Sequence, residues 1–117
     1  MRNFRELDIW KRSFDLVIRI YKITRLLPSD EKFCLVSQIN RSAISIPSNI
    51  AEGCGRNTNS DLCRFVDIAL GSSFELETQL LLTKELYAIE EISGVVSELH
   101  EIQKMMNSFK KYLKPKA

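Results

Sequence analysis

Glycine and proline are scarce in this chain, with four Gly and three Pro among 117 residues. Such thin punctuation argues against a fold of many short strands and favours a few long helices. Histidine occurs once, at His100. Cysteine occurs three times, at Cys34, Cys54 and Cys63, with no CxxC pair and no cluster of histidines nearby. An odd number of thiols without ligand spacing suggests neither a disulfide framework nor a zinc site, so the three are expected to be reduced, structural thiols. Long apolar runs are missing as well. No window approaches the ~18 uninterrupted apolar residues of a membrane span. The charged stretch Met1 to Trp10 holds no apolar segment of signal-peptide length. We therefore expect a cytoplasmic protein with no membrane partner.

What the chain does have is an ordinary globular composition, 44% hydrophobic and 27% charged. Its length suits one domain able to build a core without disulfides. A net charge of +2 announces no nucleic-acid binder by itself. The distribution says more: residues 1 to 25 hold seven Lys/Arg against three Asp/Glu, and residues 104 to 117 hold five Lys and no acid. The stretch between them holds five basic against twelve acidic residues.

Helical periodicity predicts four helices, over about 7–27, 30–52, 59–86 and 90–113. In the first, Leu7, Trp10, Phe14, Val17, Ile18 and Tyr21 make one apolar stripe, and Ile9, Leu16, Ile20, Ile23 and Leu27 make a second. Lys11, Arg12, Arg19 and Lys22, with Asp8 and Asp15, fill the remaining wedge. One bundle core needs only one stripe, so the second is assigned to contact with a neighbouring subunit. The third helix is doubly striped too: Leu62, Phe65, Val66, Ala69, Leu76, Leu80 and Tyr87 form its main row, with Cys63, Leu70, Phe74 and Leu81 beside it. The fourth carries a single row from Ile92 through Leu99 and Met106 to Leu113. Its start is poorly marked, around Tyr87 to Ile89 or at Ser93-Gly94. Short connections between long helices favour an antiparallel up-down-up-down four-helix bundle.

The second helix is expected to kink at Pro47, which removes one backbone hydrogen bond. Leu35, Ile39, Ala43, Ile46 and Ile50 give its core face. On its other side Gln38, Ser42, Ser45 and Asn49 form an uncharged polar row. That row is either a tolerated solvated face or a hydrogen-bonded interface to another helix, flanked by Arg41 and Glu52.

Groups for catalysis do not converge. His100 has no obvious carboxylate or thiol partner in its sequence neighbourhood, and the paired Glu-x-x-His signature of di-iron bundles is absent. Gly53-Cys54-Gly55 lacks the lysine of a phosphate loop and reads better as a helix end. No catalytic residue, metal or cofactor is therefore assigned.

The segment from Gln38 to Gly53, QINRSAISIPSNIAEG, followed by Gly55-Arg56, resembles the bacterial four-helix bundle proteins encoded within intervening sequences of 23S ribosomal RNA genes. A second family-like segment, Gly71 to Leu80, reads GSSFELETQL. Asn40 and Leu70 stand where the family pattern commonly carries basic residues, while Arg41 and Arg56 keep its remaining basic positions. The resemblance implies a bundle closed into a homo-oligomeric ring, a pentamer, without known enzymatic activity. Related accessory proteins of diversity-generating retroelements are basic rings that bind nucleic acid and a reverse transcriptase, which implies RNA or DNA as partner by analogy.

Two candidate surfaces follow. The basic one comprises Arg2, Arg5, Arg12, Arg19, Lys22, Arg41, Arg56, Lys110, Lys111, Lys114 and Lys116. It is a nucleic-acid interface or only a solvated face, in which case a protein-directed adaptor is the rival reading. The oligomer surface comprises Ile9, Leu16, Ile20, Ile23, Gln38, Ser42, Ser45, Asn49, Leu70, Phe74 and Leu81.

Overall fold

The computed structural model describes residues 2–114 and contains four helices and no strand among them. Helix α1 spans Asp8–Thr24, α2 Leu35–Cys54, α3 Asn59–Tyr87 and α4 Glu91–Leu113. The second helix, expected from about residue 30, begins only at Leu35, and residues 29–31 form a single 3-10 turn after the extended Pro28. Thr58 caps α3 by accepting a hydrogen bond from the Asp61 amide at 3.1 Å. Ala88, left-handed at φ 49°, ends α3, and the break to α4 falls there rather than at Ser93-Gly94.

Each helix packs on the next, and α4 also packs on α1. The resulting body measures 48 × 21 × 20 Å. Asp67 of α3 pairs with Lys110 of α4, and further along α3 Glu77 pairs with His100. Between α2 and α3, Ser45 meets Ser72 and Gly53 meets Phe65.

The core reverses the expected use of the two stripes on α1. Ile9, Leu16, Ile20 and Ile23 are buried within the subunit, whereas Phe14, Ile18 and Tyr21 remain exposed. Ile9, Leu16, Ile20 and Ile23 therefore leave the list of residues free to meet a neighbour. The stripes lie roughly 120° to either side of the charged wedge when residues are placed at 100° steps. Periodicity alone gave no reason to prefer one. Ser13 and Thr24 are buried with the second stripe. The Ser13 hydroxyl donates to the Trp10 carbonyl at 3.0 Å, and the Thr24 hydroxyl lies 3.1 Å from Asn40 Oδ1 on α2 and 3.3 Å from the Tyr21 carbonyl. Small side chains whose hydroxyls find acceptors let the other helices come close on that side.

Helices α2 and α3 share the most extensive contact. A Cβ on Gly53 would lie 2.7 Å from Phe65 Cβ and 2.9 Å from Leu62 Cδ1. Ser42, Ala43, Ala69, Ser72 and Ser73 are buried near this seam. Gly53→Ala is thus expected to lower stability by about 1–2 kcal/mol in urea unfolding, since overpacking costs roughly 1–3 kcal/mol and the gain in helix propensity offsets only part of it.

Candidate functional site

The polar row of α2 lies against α3 of the same chain. Ser45 Oγ is 2.8 Å from Ser72 Oγ, and Asn49 Nδ2 donates to the Ser45 carbonyl at 2.8 Å and to its hydroxyl at 2.9 Å. Ser42 is buried, Ser45 and Asn49 half-buried, and Gln38 exposed. With Arg41, Ser72 and Glu75, the serines and Gln38 line a polar groove between the two helices. The assignment of Ser42 to an interface between subunits is corrected, since it is buried within the subunit; the Ser45 hydroxyl meets Ser72 across the intrachain seam, and the Asn49 amide bonds back to Ser45 within α2. Leu70 is likewise a core residue, at 9% exposure.

Two apolar surfaces stand out among the side chains left outside the core. Over the α1–α2 seam, Phe4, Trp10, Phe14, Ile18, Ile44 and Ala51 line a shallow groove of about 370 Å³ floored by Pro47 and Val17. Phe4, Trp10 and Phe14 form a ladder with ring centroids 5.1 and 5.0 Å apart. Phe14 and Ile18 are nearly half exposed. On α3, Phe74 and Leu81 are exposed as the sequence suggested, at 52% and 45%. Ile44 was not anticipated, because it sits off the core row of α2 and its partner Ile18 is distant in sequence.

The basic residues divide into four groups. The Arg2 amide donates to the Cys54 carbonyl at 3.0 Å, and its guanidinium lies 5.8 and 5.7 Å from the ring centroids of Phe109 and Tyr112. Arg2, Arg5, Arg56, Lys110, Lys111 and Lys114 thereby share one end of the bundle, joined by Arg64, which with Arg56 flanks the Phe65 ring. Arg12 is committed to Glu98 through a two-pronged ion pair, 2.6 and 3.0 Å, with Met105 Sδ beside it. Arg19 and Lys22 border Glu90 and Glu91 between α1 and α4. Arg41 lies in the polar groove. Lys116 falls outside the described residues.

Some of the charge at the basic end is compensated, since Asp67 meets Lys110 and Glu52 meets Arg56 at 3.4 Å. Sequence reading missed Phe109, Tyr112, Phe65 and Arg64 as members of this end. The i, i+3 spacing of Phe109 and Tyr112 beside three lysines was the available signal.

Chemically reactive groups are subdued. His100 Nε2 lies 2.9 Å from Glu77 Oε2, and Gln103 donates to the other oxygen at 3.0 Å, holding the Glu77 carboxyl below its usual range. Burial pushes the Cys54 thiol up, which weakens it as a nucleophile.

Four helices packed around one apolar core, with no strand among the described residues, define an all-α helical-bundle protein. This chain belongs to the family of 23S rRNA-intervening sequence proteins, whose model matches residues 5–108 and so spans both family-like segments. Among solved structures it is similar to a protein of unknown function from the S23 ribosomal protein family of Bacteroides thetaiotaomicron. The two are 27% identical with a TM-score of 0.80, over 88% of this chain and 98% of that one. A comparison with curated proteins finds no match.

The Arg12–Glu98 pair has a measurable signature. Its hydrogen bonds hold the Glu98 carboxyl below its usual range, so folding favours the ionised form. That contribution is complete above the unfolded-state value of about 4.3 and is lost as pH falls through the depressed folded value. Melting temperature should drop below pH ~4 in the wild-type protein. Glu98→Gln should flatten that acid limb, measured by circular dichroism melts across the acid range.

Proposed function

We propose that this protein is a non-enzymatic, cytoplasmic subunit of a homo-oligomeric ring, a pentamer of antiparallel up-down-up-down bundles, that binds RNA or DNA through its basic end. The observation that carries the assembly is a pair of dissimilar apolar surfaces among the side chains left outside the core: the groove over α1 and α2, and the Phe74–Leu81 row on α3. A two-fold dimer would match one surface with itself and leave the other wet. Joining unlike surfaces head to tail covers both, and such contacts close into rings when the rotation permits. The opposed order of the pairs Asp67–Lys110 and Glu77–His100 supports antiparallel neighbours. The non-enzymatic reading is supported by the sequence, in which groups for catalysis do not converge.

Light scattering tests the ring. The wild-type protein should exceed monomer mass at micromolar concentration. Phe14→Glu or Phe74→Glu, both at exposed positions, should release monomers with an unchanged helical spectrum, because each apolar side chain withdrawn from water contributes up to roughly 1.5–3 kcal/mol. A wild-type monomer would refute assembly.

Nucleic-acid binding is supported by the polarised charge. The end carrying Arg2, Arg5, Arg56, Arg64, Lys110, Lys111 and Lys114 keeps an excess of cations over Glu6, Asp8, Glu52, Asp61 and Asp67, while at the opposite end Asp30, Glu31, Glu85, Glu90 and Glu91 are offset by Lys22, Arg25, Lys32 and Lys84. Binding should be weakly sequence-selective and weaken with salt, with a log–log slope of about −0.7 to −0.9 for each phosphate neutralised. Lys111→Gln with Lys114→Gln should flatten that slope. A protein-directed adaptor is the second reading, favoured by Leu26, Phe33 and Leu86, which are 58%, 88% and 63% exposed near the opposite end. Salt-insensitive or absent nucleic-acid binding would put that reading ahead.

A further inference from the structure

We propose that the basic end is built for single-stranded nucleic acid, with an unstacked base seated on the exposed Tyr112 ring, which Phe109 backs, and its phosphates on Arg2, Lys111 and Lys114. This inference rests on the nucleic-acid reading above and adds which form of the polymer is bound, and by which side chains. The Phe109 and Tyr112 rings lie 6.2 Å apart between centroids and only 23° from parallel. The two rings are stacked at the end of α4, with Phe109 half-buried against the core and Tyr112 outermost. Tyr112 is 71% exposed, so most of its ring faces water. A tyrosine contributing to the core would have been drawn inward, as its neighbour Leu113 is at 4%.

The guanidinium of Arg2 lies within 6 Å of both ring centroids, fixed there by its own backbone hydrogen bond to Cys54 and not by a carboxylate. It therefore keeps its charge and its donors for an incoming anion. Lys111 and Lys114 are exposed on either side of Tyr112 in sequence. Lys110 is different, being three-quarters or more covered and paired with Asp67. An exposed tyrosine ring beside cations that pair with no acid among the described residues matches the recognition of unstacked bases, whose π-faces any sequence offers. A duplex keeps those faces inside its stack and would meet only the cations. Acidic peptides would use the cations without needing parallel rings.

Fluorescence anisotropy with a labelled oligo-dT of about 15 nucleotides, and with a hairpin duplex of equal length, tests the inference on the full chain. The single strand should bind more tightly than the hairpin. Tyr112→Ala should weaken it about tenfold or more at constant salt slope, because stacking is uncharged. Tyr112→Phe should bind as wild type, and hairpin binding should not respond to either variant. Unchanged melting of the Tyr112 variants, expected for so exposed a residue, separates loss of the platform from loss of fold. If Tyr112→Ala binds the single strand as wild type does, or if the hairpin is preferred, the platform is overturned while nucleic-acid binding stands. If neither probe binds the wild-type protein, the nucleic-acid reading itself fails, and this inference with it.

Discussion

The close approach of α2 and α3 is the constraint on which the rest of the structure depends. Gly53 leaves room for the Phe65 and Leu62 side chains where any Cβ would collide with them. Along the same seam, serine and alanine side chains keep the two backbones near each other, and Ser45, Asn49 and Ser72 satisfy one another's polar groups. Once these helices are locked, the remaining two must cover the single exposed side of Ile39, Ile46, Ile50, Leu76 and Leu80, all fully buried in the finished bundle. The two segments that resemble the family are the two halves of this contact. Their composition is explained by packing and hydrogen-bond satisfaction before any partner is invoked.

Helix α1 shows how a fold can dispose of surplus hydrophobicity. Its isoleucine-rich stripe enters the core, where branched side chains fill space with little rotamer entropy to lose. Its aromatic stripe rides on the α1–α2 seam, half covered by Ile44, Pro47 and Ala51. On its third side Arg12 clamps Glu98 of α4, and Arg19 and Lys22 lie among acids. A charged stripe that looked available for phosphate is thus partly spent on holding helices together. The cations left for an external anion gather instead at the end where Arg2 meets the last turn of α4.

That end owes its character to chain termini meeting. The residues before α1 cross beneath the end of α2 and reach the last turn of α4, so two basic segments far apart in sequence become one surface. Aromatic rings from three different elements, Phe4, Phe65 and the Phe109–Tyr112 pair, each carry an arginine against them. Cations held over rings retain their charge while giving up conformational freedom, which prepares them for an anion at smaller entropic cost. The proposed ring would repeat this end once per subunit.

Sequence alone determined that the chain is all-α with four helices, because 3.6-residue periodicity, sparse Gly and Pro and short connections are local properties. It also determined family membership through two short segments. It identified the exposed row of Phe74 and Leu81, since a helix whose core row is complete has nowhere to bury a second. Tertiary structure alone decided which stripe of α1 went inside, because the two flank the charged wedge symmetrically and only packing against the other helices distinguishes them. It also decided that the polar row of α2 pairs with Ser72, that Arg12 is consumed by Glu98, and that Tyr112 lies beside Arg2. Each of these joins residues distant along the chain, and a helical period carries phase within one helix but none between helices.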